Sequence, residues 1–266
     1  MSFETNKLSL NYWNGRGLME VPRMMLAYSG HFPDNKLFNR IKFTTNYHDN
    51  RYTTDPSNVS ENCYNYQDIV SSLPANLGRL PVITYDDNFT LGQSTAINFY
   101  LATKLNLMGD SLEESAKIME FNEHIKEMMH SWRNLCPYGT EPNDEIWETW
   151  FNTGADDKSP EPANMKTRGT RYFTWWANRL EYLVGTDYVV GNRFSLADFM
   201  VFNTFAEYLP PEQCNDLAEW RRAPFGNFLK TIDALAEYPK LRKICENVGE
   251  NENVQQWFEN RGEQKF

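Results

Sequence analysis

The sequence has few cysteines and histidines, and neither is arranged for metal or disulfide chemistry. Its 266 residues include 4 Cys and 4 His, and no two cysteines form a CxxC pair. Scattered cysteines in a chain of this size are typical of free thiols in a reducing compartment. His124 and His130 lie six positions apart and do not share the helix face that an HExxH zinc site needs. We therefore expect no metal requirement.

Positive charge and long hydrophobic runs are also scarce. Lys and Arg together number 26 against 36 Asp and Glu, a net charge of −10. Such a chain repels phosphate, which argues against nucleic-acid and anionic-membrane partners, and neither a GxxxxGK nor a GxGxxG loop occurs. No apolar run approaches the roughly 18 residues of a membrane-spanning helix. The polar first ten residues resemble no secretory signal, so we expect a cytoplasmic location.

Aromatic residues are plentiful instead. The chain holds 8 Trp, 14 Tyr and 17 Phe, 15% of its residues. They supply material for a core and for an apolar pocket. At about 150 residues per domain, the length favours two modest domains.

The first hundred residues alternate between strand-like and helix-like patterns. The predicted elements are strand 8–13, helix 19–28, strand 37–43, short helix 64–72, a hairpin of strands 80–85 and 89–91, and a helix that begins at Ser94. The polar residues 44–63 predict a long loop or insertion. This order predicts an α/β domain over residues 1–104.

The second half has helical periodicity and little strand signal. Helices are predicted at 112–135, 166–184, 195–208 and 225–237. The polar segment 137–164 predicts another insertion or long loop, and residues 105–111 predict a linker. We therefore expect an all-helical domain over residues 112–266.

One segment combines an X-Pro bond at a strand start with a polar pair at a helix start. Residues 78–83, GRLPVI, enter the hairpin, and Gln93-Ser94 follow it. A cis bond here would expose the Leu80 backbone for pairing with a peptide-like ligand. The Ser94 hydroxyl and the free amides of the first helical turn would bind a carboxylate. These features predict a site for a small extended molecule, although a Ser N-cap is the simpler interpretation of Ser94 alone.

Four segments carry a family resemblance. They are KLSLNYWNGRG at 7–17, GRLPV at 78–82, LGQSTAI at 91–97 and VGNRFSLAD at 190–198, the last an S-x-x-D capping box. In this order they resemble the cytosolic glutathione transferases over about residues 8–260. The first segment resembles the sigma class, which includes prostaglandin D synthases and lens S-crystallins. The resemblance implies a thioredoxin-like N-terminal domain followed by an all-α domain.

The resemblance also implies a detoxification chemistry built on one thiol. A free thiol has a pKa of about 8.5, and lowering it by about two units corresponds to roughly 2.7 kcal/mol of preferential thiolate stabilisation. In the sigma class a tyrosine hydroxyl at the end of the first strand does this, and Tyr12 holds that position. A Cys-type transferase or thiol oxidoreductase is disfavoured, because the first cysteine, Cys63, falls in the predicted loop.

Further roles follow from the resemblance. Glutathione, as co-substrate, is expected to contact Tyr12, Tyr66, Gly78, Arg79, Leu80, Pro81, Gln93, Ser94 and, across a homodimer, Glu127. A small hydrophobic electrophile is expected to contact Trp13, Met128, Met129 and Trp132, although a helical stripe of Met and Trp also fits a core. Leu18 and Val70 stand where the family often has Arg and Lys, and Arg79 or Arg16 are candidates to compensate.

Three functions stay open at this point. The favoured one is conjugation of glutathione to hydrophobic electrophiles. The second is a glutathione-dependent isomerase, like the prostaglandin D synthases. The third is a non-catalytic, crystallin-like or ligand-binding protein on the same scaffold, which the neutral Leu18 and Val70 keep in consideration.

Overall fold

The computed structural model describes residues 3–34, 46–60, 63–70, 73–86, 88–154, 171–206 and 224–261. They form two compact units. The first comprises Met1–Leu107 with Glu250–Phe266, and the second comprises Met108–Gly249. The strand predicted over 37–43 and Cys214 lie outside the described residues.

The first unit contains a mixed β-sheet flanked by helices. Its strands are β1 (Leu8–Trp13), β2 (Phe32–Pro33), β3 (Asn46–Thr53), β4 (Tyr64–Asn65), β5 (Val82–Tyr85) and β6 (Phe89–Gly92). Their order is β2-β3-β1-β5-β6, with β4 also paired to β3. β1 runs parallel to β3 and antiparallel to β5. This arrangement confirms the predicted thioredoxin-like domain.

The described part of the same unit also contains α-helices. They are α1 (Glu20–Tyr28), α2 (Gln67–Val70), α3 (Ser94–Lys104) and α10 (Glu252–Asn260), and α1 contacts both α3 and α10. The predicted hairpin forms β5 and β6, and β1 has the predicted bounds. Leu8 and Leu10 are fully buried in β1, because the strand lies between β3 and β5.

The prediction of a loop over residues 44–63 is wrong for most of its first half, where residues 46–53 form β3. The polar composition hid the strand. Tyr47 and Tyr52 are buried, and the buried Asp49 is paired with Arg23 and Arg51, so its charge does not prevent burial. In the predicted helix 64–72, β4 precedes the single turn of α2.

The second unit is built from helices in its described part. They are α4 (Leu112–Leu135), α5 (Asp144–Asn152), α6 (Phe173–Leu183), α7 (Leu196–Phe205), α8 (Phe228–Leu235) and α9 (Pro239–Gly249). α7 is the most buried of them and contacts both α4 and α9. The prediction of a loop over 137–164 misses α5, which begins where the Asn143 side chain accepts a hydrogen bond from the Ile146 amide.

The predicted capping box is present at the start of α7. The Asp198 carboxylate accepts from the Ser195 amide at 2.8 Å and from the Ser195 hydroxyl at 2.7 Å. Its other oxygen accepts from the Val189 amide at 2.9 Å, which ties the preceding loop to the helix. Burial raises the pKa of Asp198 to about 6, against the lowering effect of these hydrogen bonds.

Candidate functional site

The end of β1 lies beside the segment that carries the proline. Asn11 is paired with Val82 in the antiparallel register of β1 and β5. Tyr12 follows Asn11, and Pro81 precedes Val82, so both lie at the same end of the sheet. The Leu80–Pro81 peptide bond is cis. The register therefore brings two of the predicted glutathione contacts together.

The same end of the sheet receives the start of α3. Val82 of β5 is paired with Gly92 of β6, and Gln93 and Ser94 come next. Gln93 is exposed, has a φ of 68°, and is the N-cap of α3, with its carbonyl accepting from the Ile97 amide at 2.9 Å. Ser94 is the first helical residue. A helix N-terminus attracts a carboxylate, so this corner suits the anionic end of a small ligand.

Tyr12 is held by the turn that follows its own strand. Its ring is buried, and its hydroxyl oxygen accepts a hydrogen bond from the Leu18 amide at 3.2 Å. Gly17, with a φ of 39°, passes so close that a Cβ there would lie 2.5 Å from the same oxygen. A donor on the phenol oxygen polarises the O–H bond and makes the hydroxyl a better hydrogen-bond donor.

The loop before β5 is fixed by side chains. The Asn76 amide donates to the Pro81 carbonyl at 2.9 Å, and the Tyr66 hydroxyl donates to the Gly78 carbonyl at 2.5 Å. Gly92 packs against the Asn76 side chain so closely that a Cβ would collide with it. Leu80 is buried at the end of this loop. The backbone from 78 to 81 is thus held at both ends.

Other predicted contacts of the first unit surround this corner. The rings of Trp13 and Tyr66 lie 4.5 Å apart between centroids, so Trp13 packs on a predicted glutathione contact. Arg79 is exposed and its Nε donates to the Asn76 carbonyl at 3.4 Å. Leu18 is 51% exposed, which leaves a neutral side chain on the surface beside the Tyr12 turn.

The predicted residues of α4 are described within the helical unit. Met128 and Trp132 are buried, and the Trp132 ring packs edge-on against Trp150 at 5.3 Å. Met129 is half-buried, and Glu127 is exposed. Core packing accounts for the burial of Met128 and Trp132, and their contact with an electrophile stays a prediction.

A buried ion network that the sequence analysis missed lies under this turn. Arg23 and Glu20 of α1 are both fully buried. Arg23 donates to Asp49 at 3.0 Å and to the Gly15 carbonyl at 2.7 Å, while Glu20 accepts from Arg261 at 2.7 Å. Charged residues three apart on an otherwise apolar helix were the available signal.

Electrostatics keep this network ionised. Burial opposes ionisation of Glu20, but Arg261 and Arg23 outweigh it and lower the pKa of that carboxyl. The same holds for Asp49. Burial alone would raise the pKa of its carboxyl, but the positive charges of Arg23 and Arg51 outweigh this effect and lower the pKa. The paired charges are therefore retained in the interior.

A metal-binding cluster and a membrane-spanning helix are both absent from the described ranges. Among these residues, no group of three or more His, Cys, Asp and Glu could hold a metal ion. No helix in the same ranges is both long enough and apolar enough to cross a membrane.

Comparisons with known proteins agree with this architecture. Residues 141–261 match the sequence model of the glutathione S-transferase C-terminal domain. "Glutathione S-transferase A2" of Bos taurus is 29% identical over 72% of this chain and 69% of its own length. "Putative glutathione S-transferase alpha-2" of Dictyostelium discoideum is 26% identical over 97% of this chain and 96% of its own. The chain is therefore similar to glutathione S-transferases over most of its length.

Solved glutathione S-transferases share the fold. The nu-class enzyme of Haemonchus contortus superposes with a TM-score of 0.63, at 21% identity over 97% of this chain and 98% of its own. Similar proteins also carry alpha, mu and pi class names, and they include S-crystallin 4 and rat hPGDS. The similarity spans several classes, and the sigma class stays a prediction.

Proposed function

We propose that the protein is a glutathione transferase in which the Tyr12 hydroxyl stabilises the thiolate of bound glutathione for attack on a hydrophobic electrophile. The observation that carries the proposal is the hydrogen bond from the Leu18 amide to the Tyr12 hydroxyl oxygen. It strengthens the hydroxyl as a donor at the sheet end where the cis Leu80–Pro81 bond and the start of α3 also lie.

The reaction needs little more than a thiolate and an oriented partner. The thiol proton passes to solvent, the thiolate attacks the electrophilic carbon, and with an aryl halide the halide leaves. A hydrogen bond to the thiolate that lowers the thiol pKa by about two units corresponds to roughly 2.7 kcal/mol. Donation from Tyr12 is the source that we propose for this stabilisation.

The tripeptide is proposed to lie along the loop and the helix start. The cysteinyl backbone pairs with Leu80, and the γ-glutamyl carboxylate lies at the amides that open α3 beside Gln93 and Ser94. Tyr66 supports this loop, because its hydroxyl donates to the Gly78 carbonyl. The other proposed contacts in this loop are Gly78, Arg79 and Pro81.

The remaining parts of the proposal concern other elements. Glu127 is exposed on α4 and, in a homodimer, would reach the γ-glutamyl amine bound to the other subunit. Trp13, Met128, Met129 and Trp132 are proposed contacts of the electrophile. A cytoplasmic location completes the proposal. The proposed domain division at 1–104 and 112–266 follows the order of the chain, whereas α10, in the second of these ranges, packs within the first compact unit.

The Tyr12→Phe variant tests the catalytic assignment. With a generic aryl halide we expect turnover to fall by about tenfold or more, a typical loss for one preorganised donor, with little change in glutathione binding. Tyr85→Phe is a matched control, because the Tyr85 hydroxyl accepts from the Glu4 amide at the same 3.2 Å. Equal turnover in wild type and Tyr12→Phe would refute the role of Tyr12.

A second candidate is a non-catalytic protein on this scaffold. S-crystallin 4 of Enteroctopus dofleini is 20% identical over 97% of this chain, and the neutral Leu18 and Val70 are both exposed. Thermal unfolding with glutathione separates the two, since a ligand that binds the folded state raises Tm. No stabilisation at millimolar glutathione would favour the non-catalytic protein.

The similarity to rat hPGDS supports a third candidate, a glutathione-dependent isomerase. An isomerase would require glutathione without consuming it. Following the concentration of glutathione during turnover distinguishes it from a transferase, because conjugation consumes one glutathione for each product formed.

A further inference from the structure

The turn that holds Tyr12 is itself fixed from below. Gly15 lies three residues before Leu18, whose amide donates to the Tyr12 hydroxyl oxygen. The Gly15 carbonyl accepts from Arg23 Nη1 at 2.7 Å. Because Arg23 is fully buried, water does not compete strongly for this hydrogen bond. The bond therefore fixes the position of the turn relative to α1.

Arg23 is held in turn by two carboxylates. It donates to Asp49 of β3 through Nε at 3.3 Å and Nη2 at 3.0 Å. Its Nη1 lies 3.6 Å from Glu20 Oε2. A guanidinium fixed by two buried carboxylates has few alternative rotamers, so its bond to Gly15 has a defined direction.

The last helix of the chain completes the network. The Trp257 indole N–H and the Arg261 guanidinium both donate to Glu20 Oε1, each at 2.7 Å. The Arg23 guanidinium lies 6.0 Å from the centroid of the Trp257 ring. Arg51 joins the other side, donating to the Arg261 carbonyl at 3.0 Å. α10 and its C-cap residue, Arg261, therefore supply the two donors to Glu20 Oε1.

We propose that Arg23, Glu20, Trp257 and Arg261 are positioning residues for Tyr12, which act through the Gly15 carbonyl and make α10 a contributor to thiolate formation. This inference rests on the proposed function of Tyr12. Loosening α10 releases the Gly15–Gly17 turn, the Leu18 amide leaves the phenol oxygen, and the hydroxyl becomes a weaker and less directed donor.

The Trp257→Phe variant tests this most gently, since it keeps most of the ring and removes the donor to Glu20. Trp147→Phe is the matched control, because the Trp147 indole N–H donates to the Phe225 carbonyl at 3.1 Å within the helical unit. Arg261→Lys is a second variant in case Trp257→Phe does not fold.

Two readouts are measured for each variant. Hydrogen exchange of the Leu18 amide is compared with that of amides inside β1. We expect exchange at Leu18 to rise about tenfold in Trp257→Phe, because opening frees only the turn. The ultraviolet absorbance of the bound glutathione thiolate, followed against pH, gives the second readout. We expect its midpoint to rise by about half a pH unit, a threefold loss of thiolate preference. Trp147→Phe should change neither.

The outcomes distinguish the positioning role of the network from the proposed catalytic role of Tyr12. An unchanged Leu18 amide in both network variants overturns the inference. So does a uniform rise across β1, which indicates a structural role alone. The exchange measurement needs no activity, so it decides the positioning role even if Tyr12→Phe keeps full turnover and the proposed function fails.

Discussion

Replacing Gly17 with alanine pushes directly on the Tyr12 hydroxyl. The added Cβ would lie 2.5 Å from that oxygen, and ordinary contact begins at 3.4 Å. The oxygen, the turn or both must therefore move by about 0.9 Å. Misplacement of a reacting group by about 1 Å costs about 10²-fold in rate. We expect Gly17→Ala to lower kcat/KM with an aryl halide by 10- to 100-fold, as an order of magnitude from the same principle.

The same substitution also strains the backbone, and this effect has to be measured separately. Gly17 has a φ of 39°, where a residue with a Cβ costs about 1–2 kcal/mol. Gly30→Ala is the control, because Gly30 has a φ of 79° and no atom within 4 Å of the added Cβ. Urea unfolding should show a similar loss of stability in both variants.

Activity then distinguishes contact from strain. We expect Gly30→Ala to keep its turnover and Gly17→Ala to lose it. Equal activity of the two variants would show that the close approach of Gly17 to Tyr12 has no bearing on catalysis, and the reasoning would fail.

Two further predictions concern the capping box and the proline loop. Burial raises the pKa of Asp198 from 3.8 to about 6, so the folded state binds this proton more tightly than the unfolded state. The free energy of unfolding of wild type, relative to Asp198→Asn, should therefore fall by about 3 kcal/mol as pH rises from about 4 to 6 and then level off. A difference that is flat across this range contradicts the assignment. Gly92→Ala should displace Asn76, break its bond to the Pro81 carbonyl, and raise the KM for glutathione by about threefold to tenfold. An unchanged KM would show that Asn76 does not support the glutathione loop.

Local patterns predicted the elements that are stabilised locally. β1 and α4 have the predicted bounds, since β1 is a short apolar run ended by a glycine-rich turn and α4 is an amphipathic repeat capped by Ser111. The capping box at Ser195 and Asp198 is likewise a pattern of neighbours. Such signals depend on residues close in the chain, so the sequence contains them directly.

Long-range pairing accounts for what the patterns missed. β3 reads as a polar loop because its inward Asp49 becomes acceptable only when Arg23 is folded against it. Glu20 and Arg261 are 241 positions apart, and no periodicity relates them. The sequence shows the charged pair Glu20 and Arg23 on α1, but their distant partners Asp49 and Arg261 are known only from the fold.

The predicted electrophile contacts illustrate a different difficulty. A helix carries Met and Trp at core spacing whether that face meets a pocket or other helices. Met128 and Trp132 are buried, and Trp132 packs on Trp150, so the pattern alone did not distinguish the two. The residues at the end of the sheet, around Pro81 and Ser94, were easier to predict. Their positions are set by local backbone features, a proline before a strand and the first residue of a helix.

The Tyr12 hydroxyl is proposed to stabilise the thiolate of bound glutathione. The most direct measurement is the ultraviolet absorbance of that thiolate in wild type and Tyr12→Phe, each saturated with glutathione and titrated with alkali. We expect the thiolate to form near neutral pH in wild type and about two pH units higher in the variant. Superimposable titrations of the two proteins would contradict it.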